Sequence, residues 1–240
     1  MSDMQGAAGG KWGPAIAGGI IGALLTGAIG LALVPRMVGP DAVRRAIIAD
    51  PSMLVDASNT LRDRQYAPVI AANRIAIETP YGSSWKGAAK PEVTLVEYYD
   101  YACSFCRKTI SDIERLLAED KGLRVVFREL PILGPNSVAA ARVALAASKA
   151  GKFGAFHDAL YAAGPPSPES IASVAAPLGI APTPQDVPEQ EAELKRNFQV
   201  AGQLGATGTP LFVVGDRVIN SAVGYDALKK AVADARAAKG

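Results

Sequence analysis

The chain of 240 residues is poor in the side chains that build metal centres and stapled scaffolds: it holds two cysteines and one histidine. A disulfide-rich secreted framework is excluded, because such folds are held by several bridges. A four-ligand zinc site is hard to build when His157 is the only histidine. Aromatic residues make up 6%, and 25 basic against 23 acidic residues leave a net charge of +2. No basic block is present, alone or interleaved with aromatics, so nucleic acid is not an implied partner. No cofactor is expected.

Apolar residues, at 49% against 20% charged, are in excess, and part of that excess lies near the start. After a short tail (1–12), residues 13–34 carry no charge between Lys11 and Arg36. At about 1.5 Å per residue this run reaches roughly 33 Å, enough to cross a hydrocarbon core. Gly18, Gly22, Thr26 and Gly30 form a small-residue face along it. The run is longer than a usual signal-peptide core and no clean A-x-A site follows, so an uncleaved anchor is favoured over a cleaved signal. Arg36, Arg44 and Arg45 outnumber Lys11, and a literal positive-inside count would leave the C-terminal side in the cytoplasm. That rule weakens for long translocated domains.

Residues 38–78 read as a helical extension. Val43, Ala46 and Ile47 make one apolar stripe, and Asp50-Pro51 reads as an N-cap with proline at the first helical position. Leu54, Ala57 and Leu61 make a second stripe, so two short helices are expected by about Gln65. Helices this short need a partner surface, either their own domain or another copy of the chain. Residues 79–90, rich in Gly and Ser, read as a linker.

From 91 to 240 the pattern is that of an α/β domain. EVTLVEYY (92–99) is a buried strand type, a helix follows from about Ser104 to Glu119, and LRVVFREL (123–130) is a second strand. A helical insertion spans about 132–204, broken near Gly151. A hairpin over Gly215-Asp216 and a last helix from Tyr225 close the domain.

The two cysteines are three residues apart, a spacing chance would give on the order of one time in a hundred. Cys103 falls where the first strand ends and its helix begins. The apolar stripe Ile110, Ile113 and Leu117 extends back to Cys106, so Cys106 is expected buried and Cys103 open at the helix N-terminus. Unpaired N–H groups there favour thiolate, lowering the pKa from about 8.5 into a range of roughly 3.5–7.5. Cys103 is then the exchanging thiol and Cys106 the resolving one. A soft-metal module holding Cu(I) between the two thiolates is the rival from another class. A cytosol-facing reductase is a third reading. His157, far in sequence from this pair, is expected at the surface or core edge without a catalytic role.

VEYYDYACSFC, the helical block with FHDALY, and GTPLFVVGDRVINSAVGY resemble the thioredoxin superfamily, and more closely its DsbA-like branch, over roughly residues 91–237. The resemblance implies a thioredoxin-like fold and thiol–disulfide exchange on exported proteins that carry cysteines, with the catalytic domain in the periplasm and a membrane redox partner. It implies a cis-proline loop at Thr209-Pro210, where substrate backbone docks beside the CxxC together with Ser104 and Phe105. It gives Glu97 a part in proton movement. The strongly oxidising members carry Pro-His between the cysteines, whereas this chain has Ser104-Phe105, so Cys103 should be less acidic and the protein a weaker oxidant. The segment from Asp41 to Gln65, with DPSMLVDASNTLRDRQ, resembles the N-terminal extension of ScsC-like proteins, some of which oligomerise through it.

Overall fold

The computed structural model describes residues 39–182 and 187–239. The expected membrane span at 13–34 lies outside them. Among the described residues no helix is long and apolar enough to cross a membrane.

The described residues fall into two units, divided after Asn59. In the first, α1 (Pro40–Ala49) starts with proline at its first position, as the fixed φ of proline favours. The second helix, α2 (Ser52–Glu78), is capped at its start by Asp50, whose carboxylate accepts from the Ser52 N–H at 3.1 Å. It does not stop near Gln65 but runs for 27 residues through Pro68. An interior proline removes one helical hydrogen bond. Tertiary packing outweighs that loss here, because Ile70 and Ile77, on the far side of Pro68, are fully buried.

The second unit is built on a five-stranded sheet in the order β1-β3-β2-β4-β5. Its strands are β1 (Trp85–Gly87), β2 (Val93–Tyr99), β3 (Leu123–Glu129), β4 (Leu211–Val214) and β5 (Arg217–Ile219). β2 and β3 run parallel, and the other pairs are antiparallel. The stretch expected as linker therefore contributes an edge strand, with Trp85 opposite Val126. Its Gly- and Ser-rich composition hid three residues that find their partner only in the folded sheet.

β2 is central and buried along all seven residues. Period-2 alternation sends Leu95 and Tyr99 to one face and Val96 and Tyr98 to the other. The Val96 face is covered by the end of α2 and by α7 (Pro188–Gln203), through Ile70, Ile77, Val200 and Leu204. The Leu95 face carries α3 (Ser104–Glu119), α8 (Tyr225–Ala237) and the insertion helices α4 (Pro135–Lys149), α5 (Phe153–Ala163) and α6 (Pro168–Ala175). Gly151, at φ +73°, separates α4 from α5 in the left-handed region that glycine enters without penalty. This is the thioredoxin-like α/β fold with a helical insertion.

Candidate functional site

The site forms where β2 ends. Residues 100–103 turn out of the sheet and α3 begins at Ser104, so Cys103 becomes the N-cap residue. Its backbone is extended (φ −77°, ψ 117°), and the Cys106 N–H points at its sulfur at 3.5 Å. From the other side comes the loop before β4, with a cis peptide bond between Thr209 and Pro210. The Thr209 carbonyl oxygen lies 3.2 Å from Cys103 Sγ. The sequence-distant elements expected to meet, CxxC and Thr209-Pro210, are thus in contact.

Cys106 is 1% exposed, on the α3 stripe with Thr109, Ile113 and Leu116. Cys103 departs from the expectation of an open position: it is only 6% exposed. A helix N-terminus is open in an isolated helix, but here Thr209 and Pro210 pack over it. Between the cysteines Ser104 and Phe105 are exposed, Phe105 at 57%.

The two sulfurs are driven apart in acidity. Cys103 falls to about 5, chiefly because the Cys106 thiol hydrogen-bonds it, aided by the N–H groups of Cys106 and Phe105. Burial opposes this and is outweighed. Cys106 moves the other way, pushed well above the ordinary thiol value by burial and by its bond to Cys103. One sulfur is therefore a thiolate at neutral pH and the other a thiol, the division that exchange through a mixed disulfide requires.

Glu97 faces the same side of β2 as this pair and is buried. Burial, helped by the Cys103 charge, raises its pKa to about 8 against the opposing pull of a 2.9 Å hydrogen bond from Thr109 Oγ1. Thr109 Oγ1 also lies 2.8 Å from the Cys106 carbonyl oxygen, so it bridges the carboxyl and the resolving cysteine's turn. Thr109 went unnoticed in the sequence. Its signal is a hydroxyl three residues after Cys106, on a stripe otherwise apolar.

His157 is not at a surface or core edge. It is buried among the rings of Tyr99, Tyr101, Phe127, Phe153 and Tyr161, with centroids 4.7–5.6 Å away. Burial holds it neutral, with a pKa well below the ordinary value. Its Nδ1 lies 3.4 Å from the Tyr101 hydroxyl. Tyr99 joins Tyr101 at 3.2 Å and donates a very short bond to the buried Glu129. Among the described residues no group of three or more His, Cys, Asp or Glu is placed to hold a metal ion.

A thioredoxin-like sheet that presents an acidic thiol at a helix N-terminus, against a cis-proline loop, defines a thiol–disulfide oxidoreductase. Residues 94–233 match the family model of the DsbA-like thioredoxin domain, and the chain belongs to that family. Among solved structures, a thioredoxin-like oxidoreductase from Silicibacter pomeroyi is 34% identical with a TM-score of 0.61, covering 69% of this chain and 98% of its own. The thiol–disulfide exchange protein α-DsbA2 of Wolbachia pipientis is 27% identical with a TM-score of 0.64, covering 72% and 97%. A linker-deletion variant of Proteus mirabilis ScsC covers 89% of this chain and 97% of its own at a TM-score of 0.68; at 24% identity this is a likeness of fold. In sequence, part of the chain is 29% identical over 159 residues to a Na+/H+ antiporter of Salinispora arenicola, NhaA 1. The match takes in 62% of this chain but 24% of the antiporter.

Proposed function

We propose that this oxidoreductase forms or reshuffles disulfide bonds in exported proteins, held at the inner membrane by residues 13–34 with its catalytic domain in the periplasm. The observation that carries the reading is the Cys103 sulfur at the start of α3, 3.2 Å from the carbonyl that precedes cis-Pro210. The uncharged run at 13–34 and a cysteine inventory limited to the CxxC support the setting.

In the oxidising direction a substrate thiolate attacks Cys103 Sγ of the Cys103–Cys106 disulfide. A mixed disulfide forms, and the Cys106 sulfur leaves with the bonding pair and takes a proton. Glu97, protonated up to about pH 8 and linked through Thr109 to the Cys106 turn, supplies it. A second substrate thiolate then attacks the substrate sulfur of the mixed disulfide, and Cys103 leaves as a stable thiolate. The substrate loses two electrons and gains a disulfide, while the protein is left as thiolate and thiol. A membrane redox partner must then remove those two electrons. The isomerising direction starts from the reduced protein, with Cys103 attacking a wrong disulfide. Substrate backbone lies along Thr209-Pro210 as an added strand, and Ser104 and Phe105 flank the attacked sulfur.

The test is the reduction potential of the Cys103–Cys106 pair, equilibrated against glutathione. A value of about −120 to −180 mV supports an oxidising or isomerising role outside the cytoplasm. A value near about −270 mV would instead make the protein a reductase and overturn the assignment of compartment.

A further inference from the structure

Asp100, the residue after β2, is 1% exposed and has two jobs for its two carboxylate oxygens. Oδ1 accepts from the Ala102 N–H at 2.8 Å and so folds the turn that leads into Cys103. Oδ2 accepts from the N–H groups of Ile132 and Leu133, at 2.8 and 2.9 Å, on the loop that leaves β3. The Asp100 carbonyl accepts from the Cys103 N–H and from the Tyr161 hydroxyl, each at 3.0 Å. One buried residue therefore touches the Cys103 turn, the exposed apolar pair Ile132 and Leu133, and an insertion helix.

An ionised carboxylate suits this place because it accepts on both oxygens and donates on neither. Hydrogen bonds to a charged acceptor are also about twice as strong as neutral ones. An asparagine would turn an NH₂ towards one of the two segments and face N–H with N–H. Neither bond set is needed to build the sheet, since β2 ends at Tyr99 and β3 at Glu129. Both sets bear only on the surface around Cys103.

We propose that Asp100 is a positioning residue for the exchange reaction: its single carboxylate locks the Cys103 turn and the Ile132–Leu133 loop into one frame. The attacking sulfur and the apolar edge beside it are then held in fixed register before any substrate arrives. The inference rests on Cys103 being the attacking sulfur, as proposed above. A cysteine flanked by apolar residues in an unfolded chain is the substrate that such a frame fits.

The test is Asp100→Asn in the full chain, with the Cys103 thiolate followed by its ultraviolet absorbance as pH is varied. Glu97 and the Cys106 thiol also face Cys103, and the variant leaves both in place. In the wild type an acidic midpoint near 5 must be present; its absence would overturn the reading of Cys103 itself. In the variant, loosening the turn takes the Phe105 and Cys106 N–H groups off the sulfur, so the midpoint rises by about one pH unit or more. With it, kcat/KM for a peptide carrying an apolar-flanked cysteine falls by roughly tenfold. A charge acting only through space predicts the opposite, because removing a negative neighbour lowers the midpoint. A lowered midpoint, or an unchanged one with only a lower Tm, overturns the proposal. Should the variant fail to fold, amide hydrogen exchange on the wild type decides. Common protection of the Ala102, Ile132 and Leu133 amides supports the lock, and free exchange at any of the three overturns it.

Discussion

Glu97 sits inside the protein as an acid that stays protonated at neutral pH, and that state has a measurable consequence for stability. Its folded-state pKa of about 8 lies above its ordinary value, so the folded form holds a proton that the unfolded chain releases. Stability is thus lost as pH rises from about 4.5 to about 8 and then levels off. Glu97→Gln keeps the shape and removes the titration. We expect the variant to be more stable than the wild type at pH 8.5 by an amount on the order of a few kcal/mol, and equal to it at pH 4. Denaturant unfolding of both reduced proteins at the two pH values checks this, and equal stability at pH 8.5 would count against a buried, neutral Glu97. At this scale Cys103, Cys106, Glu97 and Pro210 stand out in the sequence because their types and spacing are unusual, and the fold brings them together. The sequence was a poor guide to Thr109, Asp100 and His157, because their parts depend on which neighbours the fold brings to them.

The first turn of α3 is the element that sets the redox chemistry. Reduction of the disulfide takes up two protons below the Cys103 pKa of about 5 and one above it, since Cys106 stays protonated. The reduction potential should therefore fall by about 59 mV per pH unit below pH 5 and by about 30 mV per pH unit above it. Glu97, held protonated more tightly by the Cys103 thiolate, adds a steeper stretch on the approach to pH 8. Potentials measured against glutathione from pH 4 to 9 reveal the break; a single slope throughout would mean that Cys103 is an ordinary thiol. Elements whose signal is local, such as α3, β2 and the Gly215-Asp216 hairpin, were legible from periodicity and turn chemistry. β1 was not, since three residues carry no period and only the β3 edge makes them a strand. Nor was the length of α2, where burial of Ile70 and Ile77 overrides the break that Pro68 announces.

Across the whole molecule, one buried cation joins layers that are far apart in sequence. Arg128, near the C-terminal end of β3, pairs with the buried Glu193 of α7 and donates to the carbonyls of Ala76, Ile77 and Thr79 at the end of α2. These carbonyls have no helical partner of their own, and a guanidinium with five donors can serve them together with the carboxylate. Arg128→Leu leaves Glu193 paired only with the half-exposed Arg196 and the helix end uncapped. We expect a loss of about 3–5 kcal/mol in unfolding free energy. The acidic midpoint of Cys103 should be unmoved, because the exchange site lies on the opposite face of the sheet. A shifted midpoint would mean that the two faces are coupled through β2. The overall architecture was legible because its order of strands and helices admits few α/β arrangements. Arg128 was not, because an arginine in a buried strand reads as an exception until its five donors are counted.

The recessed sulfur of Cys103, covered by Thr209 and only 6% exposed, also decides when a client can be served. A cysteine fixed on the rounded surface of a finished protein reaches so recessed a sulfur poorly. A thin, extended segment reaches it better, because it presents one side chain at a time on alternate faces. Under the proposed function, this recess acts as a timing filter that favours chains still folding over those already complete.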